Sequence, residues 1–327
     1  MKTLFKFFFL IILVVALWLA YGLLLRINPD GAKYVLLRPG WSTAHIAAEL
    51  RRASVIRSAP SFLLFHYLRG KGTLKAGEYR FDRPANALQV RNRLAHGDIY
   101  VHTVFVPEGF NIFEIAAAIE AAGLGPRDEF LKITRSDATL VSDLDPEALS
   151  LEGFLFPDTY QFTRTQSMHD MVGVMVKRFR QEARMLGLAT DLHRVVTLAS
   201  IIEKETAVPE ERPLVASVYE NRLQRNIALG ADPTVIYAAE LAGRYNGVIH
   251  QSDLQLGSPY NTYKYPGLPP GPIANPGRGS LAAAMHPATT AYLYFVSDNQ
   301  GHHRFASNLD EHSHNVAAYR RSLGHNR

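Results

Sequence analysis

The stretch Asp191-Leu-His-Arg-Val-Val-Thr-Leu-Ala-Ser-Ile-Ile-Glu203 decides how the second half of the chain folds. At helical spacing, apolar side chains fall on every side of this segment: Leu192, Val195, Val196, Leu198, Ala199, Ile201 and Ile202. A helix that is apolar around nearly its whole circumference is typical of the interior of a domain. The stretch therefore predicts a core helix that ends at a carboxylate, Glu203.

Glu203 is the candidate catalytic acid. A carboxyl group at the end of a buried helix is partly desolvated, and desolvation favours its protonated form. A general acid needs such a proton near neutral pH. In the alternative interpretation, Glu203 pairs with Lys204 or Arg222 at an ordinary helix terminus. Glu205, two residues later, points to a different side of the helix.

Two later segments carry polar and aromatic side chains. Asp232-Pro-Thr-Val-Ile-Tyr237 predicts a helix with Asp232 as its N-cap and Pro233 in the first position. Ser258-Pro-Tyr-Asn-Thr-Tyr263 offers two rings around an amide and a hydroxyl, which suits stacking on sugar rings, although an ordinary turn has the same composition. Residues 257–279 are dense in proline and glycine and predict a shaped, ordered loop.

The N-terminus predicts a membrane anchor. Residues 7–25 contain no charge, and their number is close to the roughly 20 residues that cross a bilayer as a helix. Lys2 and Lys6 precede this run, so the positive-inside rule predicts a cytoplasmic N-terminus and an external remainder. A cleaved signal peptide is the alternative, but Tyr21-Gly-Leu-Leu-Leu25 prolongs the apolar run where a cleavage site would lie.

Residues 28–100 predict a small α+β module. Strands are expected at 34–37 and 78–81, with helices after Ser42, over 59–68 and over 88–94. This order resembles a LysM-type glycan-binding module, and a spacer with its own core is the alternative. The alignment of Gly40 and Ile46 with Gly109 and Ile115 further predicts that a strand, turn and helix unit is repeated.

Composition excludes several classes of protein. The 327 residues are 47% hydrophobic and contain no cysteine, so disulfides, thiol chemistry and cysteine-bound zinc are excluded. The charge is +5, and no nucleic-acid-binding motif accompanies it, so no nucleic acid partner is expected. The spacing of the C-terminal histidines fits no metal motif, and no cofactor fingerprint occurs, so neither is expected. A basic stretch either forms a solvated face or contacts an anionic membrane surface. Its residues are Arg51, Arg52, Arg57, Arg69, Lys71 and Lys75.

Several segments in fixed order resemble the endolytic murein transglycosylase family, also called YceG-like. The resemblance rests on these segments: Glu152-Gly-Phe-Leu-Phe-Pro-Asp-Thr-Tyr160, Leu198-Ala-Ser-Ile-Ile-Glu-Lys-Glu-Thr206, Val215-Ala-Ser-Val-Tyr-Glu-Asn-Arg-Leu223, Asp232-Pro-Thr-Val-Ile-Tyr237, Tyr260-Asn-Thr-Tyr263, Gly267-Leu-Pro-Pro-Gly-Pro-Ile-Ala-Asn-Pro-Gly277, and the closing His303, Phe305 and His312. One departure is Gly230-Ala231, where the family commonly has glutamine followed by serine or threonine, and it weakens any role for a hydroxyl at position 231.

The resemblance implies an α+β catalytic domain at 101–327, behind an anchor at 1–27 and the module at 28–100. It implies that Glu203 is the essential acid and that the glycan cleft is lined by Glu205, Asp232, Thr234, Tyr260, Asn261, Thr262 and Tyr263. It also implies a bacterial inner-membrane protein with a periplasmic catalytic domain. The expected activity is cleavage within nascent peptidoglycan strands, which helps to terminate their elongation beside penicillin-binding synthases.

The number of carboxyl groups separates the possible reactions. A lytic transglycosylase needs one, because the 6-hydroxyl of the muramic acid attacks the anomeric carbon and closes a 1,6-anhydro ring. A lysozyme-type hydrolase needs a second carboxylate, for which the candidates are Glu205, Asp232 and Asp158. A non-enzymatic wall-binding scaffold is the third possibility, and it gains little from a buried acid.

Overall fold

The computed structural model describes residues 2–70 and 72–325, so Lys71 of the basic stretch lies outside the described residues. Its helices and strands follow in this order: α1 (Lys2–Leu24), β1 (Lys33–Leu37), α2 (Thr43–Arg52), α3 (Ala59–Leu68), β2 (Gly77–Phe81), α4 (Ala87–His96), β3 (His102–Phe105), α5 (Ile112–Ala121), α6 (Arg127–Ser136), β4 (Thr159–Phe162), α7 (Met168–Leu186), α8 (Leu192–Glu205), α9 (Arg212–Gln224), α10 (Asp232–Leu241), α11 (Arg278–Met285), β5 (Tyr294–Ser297), β6 (His303–Ala306) and α12 (Leu309–His325). Helices mixed with small two-stranded sheets confirm the predicted α+β class.

The chain forms two compact units. The N-terminal unit comprises Met1–Thr103 and Gln161–Ser167, and the C-terminal unit comprises Val104–Tyr160 and Met168–Arg327. The strands pair as β1 with β2, β3 with β4, and β5 with β6.

The N-terminal unit has a core of its own. β1 and β2 pair antiparallel, with Lys33 opposite Phe81 and Leu37 opposite Gly77. Ser42 caps α2, as predicted, by accepting a hydrogen bond from the backbone N–H of His45. The buried side chains come from both strands and all three short helices: Val35, Leu37, Leu50, Phe62, Tyr79, Val90 and Leu94. α1 is long and apolar enough to cross a membrane.

The predicted repeat is visible in the backbone. β1 leads to Gly40 and then to α2, and β3 leads to Gly109 and then to α5. Gly40 and Gly109 have φ values of 83° and 80°, in the left-handed region that favours glycine. The same turn therefore connects a strand to a helix twice in the chain.

The helix α8 lies at the centre of the C-terminal unit. Every residue from Val195 to Ile202 is buried, so the predicted core helix is confirmed. α8 packs against α9, α10 and α11. Because α8 is surrounded, the positions of its last residues are set by several neighbours.

Candidate active site

The end of α8 opens into a pocket of about 140 Å³ in the C-terminal unit. Its walls come from the end of α8, the second half of α9, the loop before α10, the start of α10, the loop after α10 and the strand β5: Glu205, Tyr219, Arg222, Leu229, Gly230, Asp232, Tyr263 and Phe295. Three of the predicted site residues, Glu205, Asp232 and Tyr263, therefore share one pocket.

Glu205 has the environment of a general acid. Burial raises the pKa of its carboxyl group to about 7, and the negative charge of Asp232 adds to the rise. Arg222, His303 and a 2.7 Å hydrogen bond from the Tyr219 hydroxyl to Glu205 Oε1 lower the pKa but do not cancel the effect of burial. A carboxyl group whose pKa is raised toward neutrality can give up a proton and later take one back, as an acid that becomes a base requires.

Asp232 lines the pocket but does not cap α10. The N-cap of α10 is Ala231, and Asp232 is the first helical residue without a side-chain capping bond, so the prediction of Asp232 as the cap is wrong. Its carboxylate instead accepts a 2.6 Å hydrogen bond from the Tyr263 hydroxyl. Asp232 therefore orients the ring of Tyr263, which is 45% exposed.

Three predicted cleft residues lie beneath the pocket. Thr234, Asn261 and Thr262 are at most 1% exposed. The Thr234 and Thr262 hydroxyls are 2.8 Å apart, and Asn261 donates to the carbonyls of Leu254 and Leu256. These side chains hold the loop after α10 against the start of that helix and do not face the pocket.

Glu203 lies in a separate polar cluster. Its side chain is only 6% exposed, and it accepts hydrogen bonds from Arg212 Nη2 at 3.2 Å and from the backbone N–H of Gly277 at 2.9 Å. Arg212 Nη2 is also 3.5 Å from Glu108 Oε2. Burial and the charge of Glu203 raise the pKa of Glu108, whereas Arg212 lowers it.

The contacts of Glu203 attach α8 to the glycine- and proline-rich loop. Gly277 is the residue before α11, so Glu203 satisfies a backbone N–H at the start of that helix. The partner of Glu203 is Arg212, whereas Lys204 donates to the carbonyl of Gly109. The alternative pairing with Lys204 or Arg222 is therefore wrong. Since positions two apart are about 200° apart around a helix, the side chains of Glu203 and Glu205 point to opposite sides of α8 and contact different residues.

Asp158 and Tyr260 lie outside the pocket and contact other residues. Asp158 Oδ2 is 2.6 Å from Arg178 Nε and does not line the pocket. The ring of Tyr260 packs edge-to-face on Tyr237 at 5.1 Å, and burial raises its pKa to about 12.

The C-terminal histidines have protein partners. Both oxygens of Glu211 are occupied, by His302 Nδ1 at 3.2 Å and by His303 Nδ1 at 2.7 Å. The ring of His312 stacks on Tyr294. Within the described residues, no group of three or more histidine, aspartate or glutamate side chains is arranged to hold a metal ion.

From the sequence, Arg222 was named only as an alternative partner of Glu203, and Tyr219 and Phe295 were not singled out. Tyr219 and Arg222 are three residues apart on α9, within the quoted segment 215–223, and this spacing was the available signal. Arg222 is held by the carbonyls of Leu229 and Leu293, each at 2.6 Å. Phe295 comes from a distant strand and gave no signal.

A buried carboxyl group with a raised pKa, in a tyrosine-lined pocket, is an arrangement that can supply general acid and base catalysis. The model of the YceG-like family matches residues 35–318, and the chain therefore belongs to that family. The resemblance predicted from the motifs is confirmed.

Similar proteins agree with this assignment. The endolytic murein transglycosylase of Bacillus subtilis is 33% identical over 296 residues, which cover 84% of this chain and 81% of that protein. The protein of the same name from Streptococcus pneumoniae strain D39 is 25% identical, over 90% of this chain and 60% of that protein. The chain thus spans less than two thirds of the pneumococcal relative. A crystal structure of a YceG-like protein from Listeria monocytogenes has a TM-score of 0.57 at 31% identity, covering 88% of this chain and 99% of that one.

Proposed function

We propose that this protein is an endolytic lytic transglycosylase of peptidoglycan. It cleaves the β-1,4 bond between N-acetylmuramic acid and N-acetylglucosamine inside nascent strands, leaves a 1,6-anhydro end and so helps to terminate strand elongation. The observation that carries the proposal is the Glu205 carboxyl group, with its pKa near 7, in the pocket shared with Asp232 and Tyr263. The names of the relatives from Bacillus subtilis and Streptococcus pneumoniae support the same reaction.

The reaction requires one group that exchanges a proton twice. Protonated Glu205 gives its proton to the glycosidic oxygen, and the bond from that oxygen to the anomeric carbon of the muramic acid breaks. The Glu205 carboxylate then takes the proton of the 6-hydroxyl as its oxygen bonds to the anomeric carbon. The ring closes, Glu205 is protonated again, and no water is consumed.

Glu205 is a better candidate than Glu203 for this acid. Glu203 accepts hydrogen bonds from the Arg212 guanidinium and the Gly277 N–H, and it does not line the pocket. Glu205 lines the pocket, and among the residues that the structure describes no arginine lies within salt-bridge distance of it, whereas Arg212 lies 3.2 Å from Glu203. Glu205, the last residue of α8, has the raised pKa that a desolvated acid at the end of a core helix is expected to have.

The remaining residues position the glycan. Tyr263 presents a half-exposed ring, oriented by Asp232, that suits stacking on a sugar face. Tyr260 and the buried Thr234, Asn261 and Thr262 hold the loop that carries Tyr263. No cofactor or metal takes part in the proposed reaction.

A hydrolase is the second candidate, because Asp232 shares the pocket with Glu205 and could serve as the second carboxylate. A scaffold that only binds the wall is the third. Mass spectrometry of products released from purified sacculi by the full-length protein in detergent separates the three. We expect products that end in 1,6-anhydro-muramic acid. Reducing ends, heavier by one water, would indicate a hydrolase, and sedimentation with sacculi without release would indicate a scaffold.

The pH dependence of cleavage tests the role of Glu205. The acid step needs the protonated carboxyl group, so we expect kcat/KM to fall about tenfold per pH unit above its pKa of about 7. The Tyr219 hydroxyl donates to the carboxylate and lowers that pKa. Tyr219→Phe should therefore move the alkaline limb to higher pH, whereas Tyr34→Phe in the N-terminal unit should leave it unchanged. An unshifted limb in Tyr219→Phe would contradict this role.

The location follows from the same proposal. α1 spans the bacterial inner membrane once, Lys2 and Lys6 stay in the cytoplasm, and the catalytic domain at 101–327 faces the periplasm. The module at 28–100 resembles a LysM module and either binds glycan or acts as a spacer. An anchored enzyme reaches only strands near the membrane, where penicillin-binding synthases make them, so these synthases are the proposed partners.

A further inference from the structure

Helix α3 of the N-terminal unit has an apolar face that no part of the described chain covers. Phe62 and His66 are buried in the core, whereas Leu64, Tyr67 and Leu68 are 42%, 53% and 77% exposed. The sequence of α3, Ala-Pro-Ser-Phe-Leu-Leu-Phe-His-Tyr-Leu, is thus apolar on the outside as well as the inside. A helix that is apolar all round belongs in a protein core or against lipid.

The exposed face is continuous with the membrane-spanning candidate α1. Gly22 of α1 is buried against α3, and a Cβ atom at Gly22 would lie 2.5 Å from Ser61 Oγ. Leu64, Phe65 and Leu68 follow Ser61 at spacings of three, four and seven residues, so they extend the face that touches α1. The apolar stripe on α3 therefore begins beside Gly22 of α1.

The end of α1 is fastened to the N-terminal unit. Leu23 packs against the hydrophobic core, and Ile27 forms a β-bridge with Ala85. Arg57 donates to the carbonyl of Arg26 at 3.0 Å and stacks over the ring of Tyr21 at 5.3 Å. Because of these contacts, α3 is held at the level where α1 would leave the bilayer.

Cationic and aromatic side chains surround this junction. Trp18 and Tyr21 are exposed near the end of α1, as in the aromatic belts of membrane proteins. Arg57 lies at the start of α3, and the Arg69 guanidinium at its end lies 5.9 Å above the Phe65 ring. Arginines beside an apolar stripe match the anionic headgroups of a leaflet, with apolar side chains against the acyl chains.

We propose that α3 is a second membrane contact, which lies in the headgroup region of the leaflet where α1 ends. Leu64 and Leu68 enter the acyl region, and Arg57 and Arg69 bind anionic headgroups. This inference rests on the proposed membrane span of α1. It fixes the tilt of the N-terminal unit on the bilayer, which a single anchor helix leaves free.

The test uses the absence of cysteine, which allows one label per molecule. Full-length Leu68→Cys is labelled with an environment-sensitive fluorophore in vesicles of phosphatidylethanolamine and phosphatidylglycerol. Leu13→Cys, in the middle of α1, is the lipid reference, and Asp98→Cys, beyond the far end of α4, is the water reference. Quenching by aqueous iodide and by nitroxide-bearing lipid is measured at each site.

We expect the label at position 68 to be quenched by nitroxide lipid, with an iodide quenching constant about threefold below that at position 98. Replacing phosphatidylglycerol by phosphatidylcholine should increase iodide quenching at position 68 and leave position 13 unchanged, because the arginines lose their anionic partners. Iodide quenching at position 68 equal to that at 98, with position 13 in lipid, would overturn the proposal. Strong iodide quenching at position 13 would contradict the proposal that α1 spans the membrane. Release of anhydro products is measured on the same samples. Failure of the proposed enzymatic activity is therefore distinguished from failure of the proposed membrane contacts of α3 and α1.

Discussion

Glu205→Gln is expected to reduce the release of 1,6-anhydro products by at least a hundredfold, because general acid and base catalysis contributes about 10² to 10⁴. The glutamine is nearly isosteric, and it can still accept the Tyr219 hydrogen bond, but it has no proton to transfer at neutral pH. The matched control is Glu203→Gln on the same helix. We expect that variant to retain more than about a tenth of the activity, because Glu203 does not line the pocket.

Thermal unfolding tests whether Glu205→Gln is folded. The pKa of Glu205 is raised in the folded state, so the proton is bound more tightly there than in the unfolded chain, and stability is lost as the pH rises through about 7. Glutamine stays neutral. The melting temperature of Glu205→Gln relative to the unsubstituted protein should therefore increase between pH 5 and pH 8. A fully active Glu205→Gln, or an inactive but folded Glu203→Gln, would contradict the assignment of Glu205 as the acid and favour Glu203.

Gly153→Ala is expected to destabilise the C-terminal unit by about 3 kcal/mol or more, through backbone strain and overpacking. Gly153 has a φ of 86°, and an added Cβ would lie 2.5 Å from Pro272 Cγ and 2.8 Å from Val196 Cγ1. Neither neighbour can move easily, since Pro272 is a ring in the ordered loop and Val196 is in the middle of α8.

The control for Gly153→Ala is Gly173→Ala. Gly173 lies inside α7 with no atom within 4 Å of an added Cβ, so alanine should stabilise the helix by about 1 kcal/mol. Thermal unfolding of the two full-length variants measures both effects. An unchanged melting temperature for Gly153→Ala would contradict the close packing of α8 against the loop.

The sequence was sufficient where the pattern is local. The core helix over 192–203 and the helix Ala59–Leu68 were predicted from apolar spacing and turn residues, and both are present. The repeated turn was predicted from the alignment of Gly40 and Ile46 with Gly109 and Ile115, and both glycines adopt a left-handed φ. Such features depend on residues close together in the chain.

The choice between Glu203 and Glu205 depends on distant residues. Because α8 is apolar on all sides, its pattern has no polar face that indicates where substrate binds. The pocket side is defined by Asp232 and Tyr263, and the other side by Arg212 and Gly277. Similarly, aspartate is a residue type that often caps helices, so Asp232 at the start of α10 was predicted to be a cap. Only the structure shows that its partner is Tyr263.

The buried carboxyl group of Glu152 also depends on residues that are distant in the sequence. It accepts hydrogen bonds from the backbone of Ile112 at 3.0 Å and from Asn275 Nδ2 at 2.9 Å, and burial raises its pKa to about 8. Asn275 also donates to the Phe110 carbonyl. This network joins segments more than 100 residues apart, so the position of the glycine- and proline-rich loop could not be predicted from its own composition.

The most direct test is digestion of purified sacculi in H₂¹⁸O by the full-length protein and by Glu205→Gln, followed by mass spectrometry of the released fragments. Intramolecular attack by the 6-hydroxyl predicts 1,6-anhydro-muramic acid ends without ¹⁸O, formed by the unsubstituted protein and not by Glu205→Gln. Reducing ends that contain ¹⁸O, or equal release of anhydro products by Glu205→Gln, would contradict a lytic transglycosylase that uses Glu205 as its acid.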